Sequence, residues 1–194
     1  MTGVGAAMAG GNPRMGRQKE DFYPTPKLVS QALLETWKPR SRTVWECACG
    51  DGAISEVIEG FGYRVVSTDL VDRGYGEAGV DFLKTTERRA DCVITNPPFN
   101  LSVPFIRHAF ALGVKELALV LKATYWHAAE RQTLWREYQP SLIMPLLWRP
   151  DFLGLGRPTM EAMWCVWSPE GGQDAVYRPL ARPVAASMQE SLML

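Results

Sequence analysis

From residue 43 onward the sequence alternates short apolar runs with segments of helical period, and this alternation limits the folds open to the chain. Thr43–Cys49, Arg64–Leu70, Asp91–Thr95 and Glu116–Leu121 read as buried strands. Between them Ala53–Gly60 places Ile54, Val57 and Ile58 at helical spacing, and Val103–Leu112 and Ala128–Tyr138 read as further helices. Val80–Leu83 is short and ambiguous, and is taken as a third strand. Strands separated by helices pair in parallel and need both sheet faces covered. Leu142–Leu147 and Ala162–Trp167 are joined by a Gly/Pro-rich stretch too poor in helix formers to hold a crossover, so one of the two runs antiparallel. The expectation is an α/β fold with a doubly wound mixed sheet, mostly parallel, with an antiparallel terminal strand. Residues 1–20 read as a flexible arm, 21–180 as one domain and 181–194 as a tail.

Composition supports one globular domain. The 194 residues are 46% hydrophobic and 22% charged, which argues against a disordered or fibrous chain. Basic and acidic residues balance at 21 each, so bulk positive charge cannot hold this chain to nucleic acid, although a local basic face can. Cys47, Cys49, Cys92 and Cys165 form no Cys-x-x-Cys pair and only His108 and His127 accompany them, so no metal site is expected. All four cysteines lie in apolar runs and read as packed, reduced thiols. No apolar run reaches the ~20 residues of a membrane span, and no basic segment precedes the small-residue N-terminus. A cytoplasmic protein without a membrane partner is expected.

Ligands of open α/β sheets sit at the carboxyl ends of the strands. Four unusual segments fall there. Glu46-Cys47-Ala48-Cys49-Gly50-Asp51-Gly52 can let a ligand approach the backbone closely, because Gly50 and Gly52 carry no side chain. Asp69 closes the next strand, where a carboxylate can accept both hydroxyls of a ribose. A dinucleotide would also use these two features. Position 55, however, is Ser rather than a third glycine, and Glu46 with Asp51 would repel a diphosphate. An adenosine ligand with a cationic, amino-acid-like portion fits better.

Asp81-Phe82 offers an acceptor and a ring to an adenine base. Asn96-Pro97-Pro98-Phe99 carries the chemistry. The amine of adenine is a poor nucleophile because its lone pair is delocalised into the ring. Two acceptors aimed at its hydrogens, the Asn96 side-chain oxygen and the Pro97 carbonyl, favour a pyramidal nitrogen with a localised lone pair. Consecutive prolines fix that backbone, and Phe99 offers a flat face to the base.

On these residues the chain resembles the class I S-adenosylmethionine-dependent methyltransferases, and among them the amino-methyltransferases of DNA adenine. The resemblance covers about three quarters of the chain, from Asp21 to Trp167. It implies a Rossmann-like sheet and S-adenosyl-L-methionine as cofactor. Asp21–Pro26 resembles the family's cofactor-clamping segment, implying contacts from Tyr23, Thr25 and Pro26. Glu46, Cys47, Gly50 and Gly52 match its glycine loop, Asp69 and Leu70 the ribose site, Asp81 and Phe82 the adenine site, and Asn96–Phe99 the catalytic tetrad. The order of segments resembles the gamma-ordered DNA enzymes without a large recognition domain. Arg73–Gly76, Arg149–Phe152 and Gly156–Thr159 look like compact phage or prophage adenine methyltransferases, or those of restriction–modification systems.

The resemblance implies DNA as partner, double-stranded with the target base flipped out or already single-stranded. Lys122, Tyr125 and Trp126 are the candidate substrate-binding residues after the Glu116–Leu121 strand. A basic excess between Asn12 and Arg42, joined by Arg88, Arg89, Arg149 and Arg157, would contact phosphates. Short or relaxed sequence specificity is expected, and a homodimer stays open. The same tetrad would serve an RNA base or a protein glutamine amide, and the same fold could be a silent nucleotide-binding module.

Overall fold

A computed structural model describes residues 23–127, 129–169 and 174–184. Seven strands form one sheet: β1 (Thr43–Glu46), β2 (Arg64–Ser67), β3 (Cys92–Thr95), β4 (Glu116–Lys122), β5 (Leu142–Pro145), β6 (Ala162–Trp167) and β7 (Val176–Tyr177). Their order is β2-β1-β3-β4-β6-β5-β7. β1 pairs in parallel with β2 and β3, and β3 with β4. β6 runs antiparallel to both β4 and β5, while β5 and β7 are parallel. The mixed, mostly parallel α/β sheet is therefore as expected. Its antiparallel strand lies inside the sheet, and β7 follows it in the chain.

Burial follows this order. β3 is buried at all four residues and β6 at all six, whereas edge strand β2 is not fully buried anywhere. Helices α1 (Lys27–Thr36) and α2 (Ala53–Gly60) cover one face and α3 (Ser102–Ala111) and α4 (Ala129–Glu137) the other. The eight-residue α2 is too short to persist alone. It is held by Ile54, Val57 and Ile58, whose burial contributes roughly 1.5–3 kcal/mol each. α1, which the sequence reading left unassigned, buries Val29, Leu33 and Leu34, and the Val29 carbonyl accepts the Trp164 indole N–H at 2.9 Å. That bond ties the segment entering α1 to the sheet centre.

Several boundaries differ from the sequence reading, among them β5, which ends at Pro145 rather than Leu147. β1 and β2 stop at Glu46 and Ser67, because the residues after them leave the ladder for turns. Val80–Leu83 is not a strand: Asp81 caps a 3₁₀ turn, Phe82–Lys84, by accepting the Leu83 N–H at 3.1 Å. The proposed arm, 1–20, lies outside the described residues, as does the tail beyond 184. No helix among the described residues is long and apolar enough to cross a membrane.

Candidate active site

The strand order reverses at β1, with β2 on one side and β3 on the other. Beyond the carboxyl ends of β1 and β3 lies a cleft of about 660 Å³. Its volume is in the range of small-molecule sites, and its place is the one this sheet topology favours.

The first wall is the turn after β1. Gly50 and Gly52 both take positive φ, 57° and 86°. Only Gly50 faces the cleft. A Cβ on Gly52 would stand 2.5 Å from the Tyr75 ring, so this glycine admits an aromatic side chain rather than a ligand. Asp69 braces the turn: Oδ2 accepts the Gly50 N–H and Oδ1 the Val71 N–H, each at 2.8 Å. With both oxygens pinned by backbone donors, the carboxylate reaches the cleft in one orientation and keeps lone pairs for hydroxyl donors. Leu70 beside it is 60% exposed and offers an apolar face.

Glu46 is buried and accepts a hydrogen bond from Ser55 Oγ, which also contacts Ser67 Oγ at 2.7 Å. Burial raises its carboxyl well above the usual range, outweighing the Ser55 bond, and Asp51 and Asp69 add to the shift. Cys47 and Cys49 line the same wall, and burial beside Glu46 pushes the Cys49 thiol up to about 12. Both are packed thiols, as the sequence suggested.

The second wall is the Asp81-Phe82 turn. The Asp81 carboxylate holds the Leu83 N–H and pairs with Lys84 at 3.0 Å. The Phe82 ring is buried against Trp45, Phe105 and His108, with centroids 5.2, 4.8 and 5.1 Å away. It meets the cleft from within the core.

The third wall joins Asn96–Leu101 to Tyr23–Thr25, brought from 71 positions away. Asn96 Nδ2 donates to Thr25 Oγ1 at 3.0 Å. Asn96 Oδ1 is buried and has no hydrogen-bond partner among the described residues. A buried amide oxygen without a donor costs free energy, and this one belongs to a residue that lines the cleft. Pro98 is extended at φ −51°, ψ 126°, and its carbonyl accepts the Leu101 N–H at 2.8 Å. Phe99 is half-buried at the mouth, and the Lys122 ammonium lies 4.9 Å from its ring centroid.

The structure thus gathers Tyr23, Thr25, Glu46, Cys47, Gly50, Asp69, Leu70, Asp81, Phe82 and Asn96–Phe99 around one cleft. Pro26 lies instead on an adjoining hollow. Tyr125 and Trp126 do not reach the cleft. The turn they occupy packs them with Trp135, at centroid distances of 5.8 and 4.7 Å, into the layer beneath α4. Sequence reasoning missed Ser55, Ser67 and Tyr75, which surround Glu46. The signals were present: a serine three residues past a Gly-x-Gly turn, and a tyrosine between two glycines. Part of the basic face is engaged within the chain: Lys27 pairs with Glu56, Arg88 with Asp91, Arg89 with Glu77 and Arg149 with Glu161. Arg14, Arg17 and Lys19 lie outside the described residues. Among the described residues no cluster of His, Cys, Asp and Glu could hold a metal ion.

No family model and no curated protein sequence matches the chain. Solved structures do match. A type I restriction–modification methyltransferase subunit from Streptococcus thermophilus superposes with TM-score 0.59 at 13% identity, over 88% of this chain and 52% of that one. A putative class I S-adenosylmethionine-dependent methyltransferase from Listeria monocytogenes gives 0.57 at 13% identity, over 87% and 69%. The chain has the class I methyltransferase fold. A putative RNA methyltransferase from Pyrococcus horikoshii matches at 0.56 and 16% identity, over 84% of this chain and 95% of that one. The chain spans about half the length of the Streptococcus subunit. Of the three, only the Pyrococcus protein is named for an acceptor, RNA, and the shared fold leaves the acceptor of this chain to be read from the cleft itself.

Proposed function

We propose that the protein is an S-adenosyl-L-methionine-dependent methyltransferase acting on the exocyclic amine of adenine in DNA, with short or relaxed sequence specificity. The observation that carries this reading is the buried, unpartnered Asn96 Oδ1 beside Pro97.

The residues present fit the cofactor. Among the described residues Asp51, Asp69 and Asp81 outnumber the one basic wall residue, Arg73, so the cleft favours a cationic ligand and opposes a diphosphate. Asp69 is oriented to accept ribose hydroxyls, and Glu46 is a buried acid that a nearby ammonium would ionise. When bound, S-adenosyl-L-methionine supplies an electrophilic methyl group on sulfur.

The chain's own residues would prepare the acceptor. Asn96 Oδ1 and the Pro97 carbonyl each accept one hydrogen of the target amine, which draws the nitrogen toward a pyramidal geometry. Its lone pair would then be free to take the methyl group that bound S-adenosyl-L-methionine supplies, with S-adenosylhomocysteine as the leaving group and the extra proton lost to water. No general base is required. Phe99 stacks on the base and shields it from solvent. The two acceptors are held before the substrate arrives, by Thr25 for the amide and by consecutive prolines for the carbonyl, so little reorganisation is spent during reaction.

The test is incubation with isotopically labelled S-adenosyl-L-methionine and unmodified DNA, followed by digestion to nucleosides. Labelled N6-methyladenosine of the deoxy series is expected. Label in RNA or protein glutamine alone would move the acceptor class. Tight S-adenosylhomocysteine binding with no transfer to any acceptor would leave a silent binding module.

A further inference from the structure

Beside the cleft lies a second hollow of about 490 Å³, between Pro24–Lys27 and Asp151–Gly154. Pro24 and Thr25 belong to both walls, so the residue that holds Asn96 also forms the partition between them. The far side is the connection between β5 and β6. It emerges at the same end of the sheet as the cleft, because the first residue of β6, Ala162, is in register with the last of β4, Lys122. The Ala123 N–H donates to the Glu161 carbonyl at 2.9 Å, fixing the end of the connection to the end of β4.

This connection has an ordered base and an apolar crest. Arg149 pairs with Glu161 at 2.7 Å across its foot. Phe152 is buried in the core next to Leu146 and Leu180. Asp151 accepts the Leu155 and Gly156 N–H groups at 3.2 and 2.6 Å, which closes the chain into a turn. Gly154 and Gly156 adopt the positive φ values, 67° and 68°, that this turn needs. The turn then presents Leu153 and Leu155 to solvent, 45% and 52% exposed, with Arg157 two residues on. Two leucines are thus held outward on a braced turn, next to the wall of the cleft.

We infer that Leu153 and Leu155 are an apolar wedge for duplex DNA, entering the base stack beside the target nucleotide while its adenine occupies the cleft. This rests on the function proposed above. A base drawn out of a duplex leaves a gap, and reclosure of that gap competes with methyl transfer. Apolar side chains inserted between base steps are a physical means of holding such a gap open. The adjoining hollow lies between the wedge and Thr25, the residue bonded to Asn96, and exposed Arg157 can meet a phosphate.

The experiment compares native with heat-denatured DNA from a source lacking adenine methylation, using labelled S-adenosyl-L-methionine. Wild-type protein is run beside L153S/L155S and L153M/L155M. Denatured DNA has no stack to hold open, so the native-to-denatured activity ratio is the readout. For L153S/L155S the ratio is expected to fall about tenfold or more, and for L153M/L155M to stay within about twofold of wild type. Thermal melting with S-adenosylhomocysteine checks that each variant is folded. An unchanged ratio in L153S/L155S overturns the wedge, as does wild-type protein that methylates only denatured DNA; both leave the proposed function standing. Wild-type protein inactive on both DNA forms overturns the proposed function, and the wedge with it.

Discussion

Thr25 and Asn96, 71 residues apart in sequence, meet on the cleft wall through a 3.0 Å hydrogen bond from the amide nitrogen, which leaves the buried amide oxygen without a partner among the described residues. The sequence resemblance implies a cofactor contact for Thr25. The structure adds a contact with the residue that would face the acceptor amine. Thr25→Val keeps the shape and removes the partner of Nδ2, so the amide can turn its donor toward the cleft. A buried hydrogen bond of this kind is worth about 1–3 kcal/mol when one side is left unpaired. We expect kcat to fall roughly tenfold with the KM for cofactor nearly unchanged. Thr25→Ser should recover most of the loss. Steady-state kinetics on all three proteins checks this.

Removing the acceptor itself should cost more. Asn96→Ala eliminates Oδ1, and loss of one preorganised polar group at a reacting centre typically lowers kcat by about 10²–10³. S-adenosylhomocysteine affinity, read by calorimetry, should change far less than kcat. An equal loss in both would assign Asn96 to cofactor binding alone.

On the proposed reading, Asp69 would link cofactor binding to fold stability. Its two oxygens satisfy the N–H groups of Gly50 and Val71, which belong to separate turns. Asp69→Ala leaves both donors without that partner and should lower stability by about 1–3 kcal/mol, as well as weakening S-adenosylhomocysteine binding. Asp69→Asn retains one acceptor oxygen and should lie between. Denaturant unfolding and calorimetry separate the two effects.

The readability of the chain tracks the range of the interactions involved. β6 was bounded to the residue because six consecutive apolar positions, Ala162–Trp167, sit between a Gly/Pro-rich stretch and Ser168-Pro169. Asn96-Pro97-Pro98 was visible because its chemistry is local. α1 was missed although its apolar spacing is regular: its burial depends on Trp164, 135 positions away. Tyr125 and Trp126 were taken for pocket walls because an aromatic pair after a strand has no local sign of direction. Trp135, on another helix, decides that they pack inward. Asp81 and Phe82 reach the cleft from a capped 3₁₀ turn, and the Asp81 side-chain bond that makes the turn also ends any strand there.

The Gly52–Tyr75 contact gives a prediction that separates strain from crowding. Gly52 has φ 86°, and an added Cβ would overlap the Tyr75 ring at 2.5 Å. Gly52→Ala should destabilise by roughly 2–4 kcal/mol, through the left-handed backbone and the displaced ring together. Tyr75→Ala removes the overlap but not the backbone strain. In the double variant the Gly52→Ala cost should therefore shrink to roughly 1–2 kcal/mol, the part owed to φ. A full double-mutant cycle by denaturant unfolding measures the difference.

Glu46 sets the pH response. Burial holds its carboxyl well above the ordinary 4.5, so between that value and its folded pKa the native state carries a proton that the unfolded chain has lost. The native state then binds more protons, the slope of unfolding free energy with pH is negative, and stability declines as pH rises through the window. Glu46→Gln removes this titration, so its stability should be flatter above pH 4.5 and exceed that of wild type toward the alkaline end. Binding should show the opposite trend. A cationic ligand near Glu46 favours its ionised form, so S-adenosylhomocysteine, through its ammonium, should expel a proton and bind wild-type protein more tightly as pH rises. In Glu46→Gln both the expelled proton and that gain in affinity should disappear. Calorimetry in two buffers of different ionisation enthalpy reads the proton directly. A buffer-independent enthalpy in wild type would place the ligand's ammonium away from Glu46.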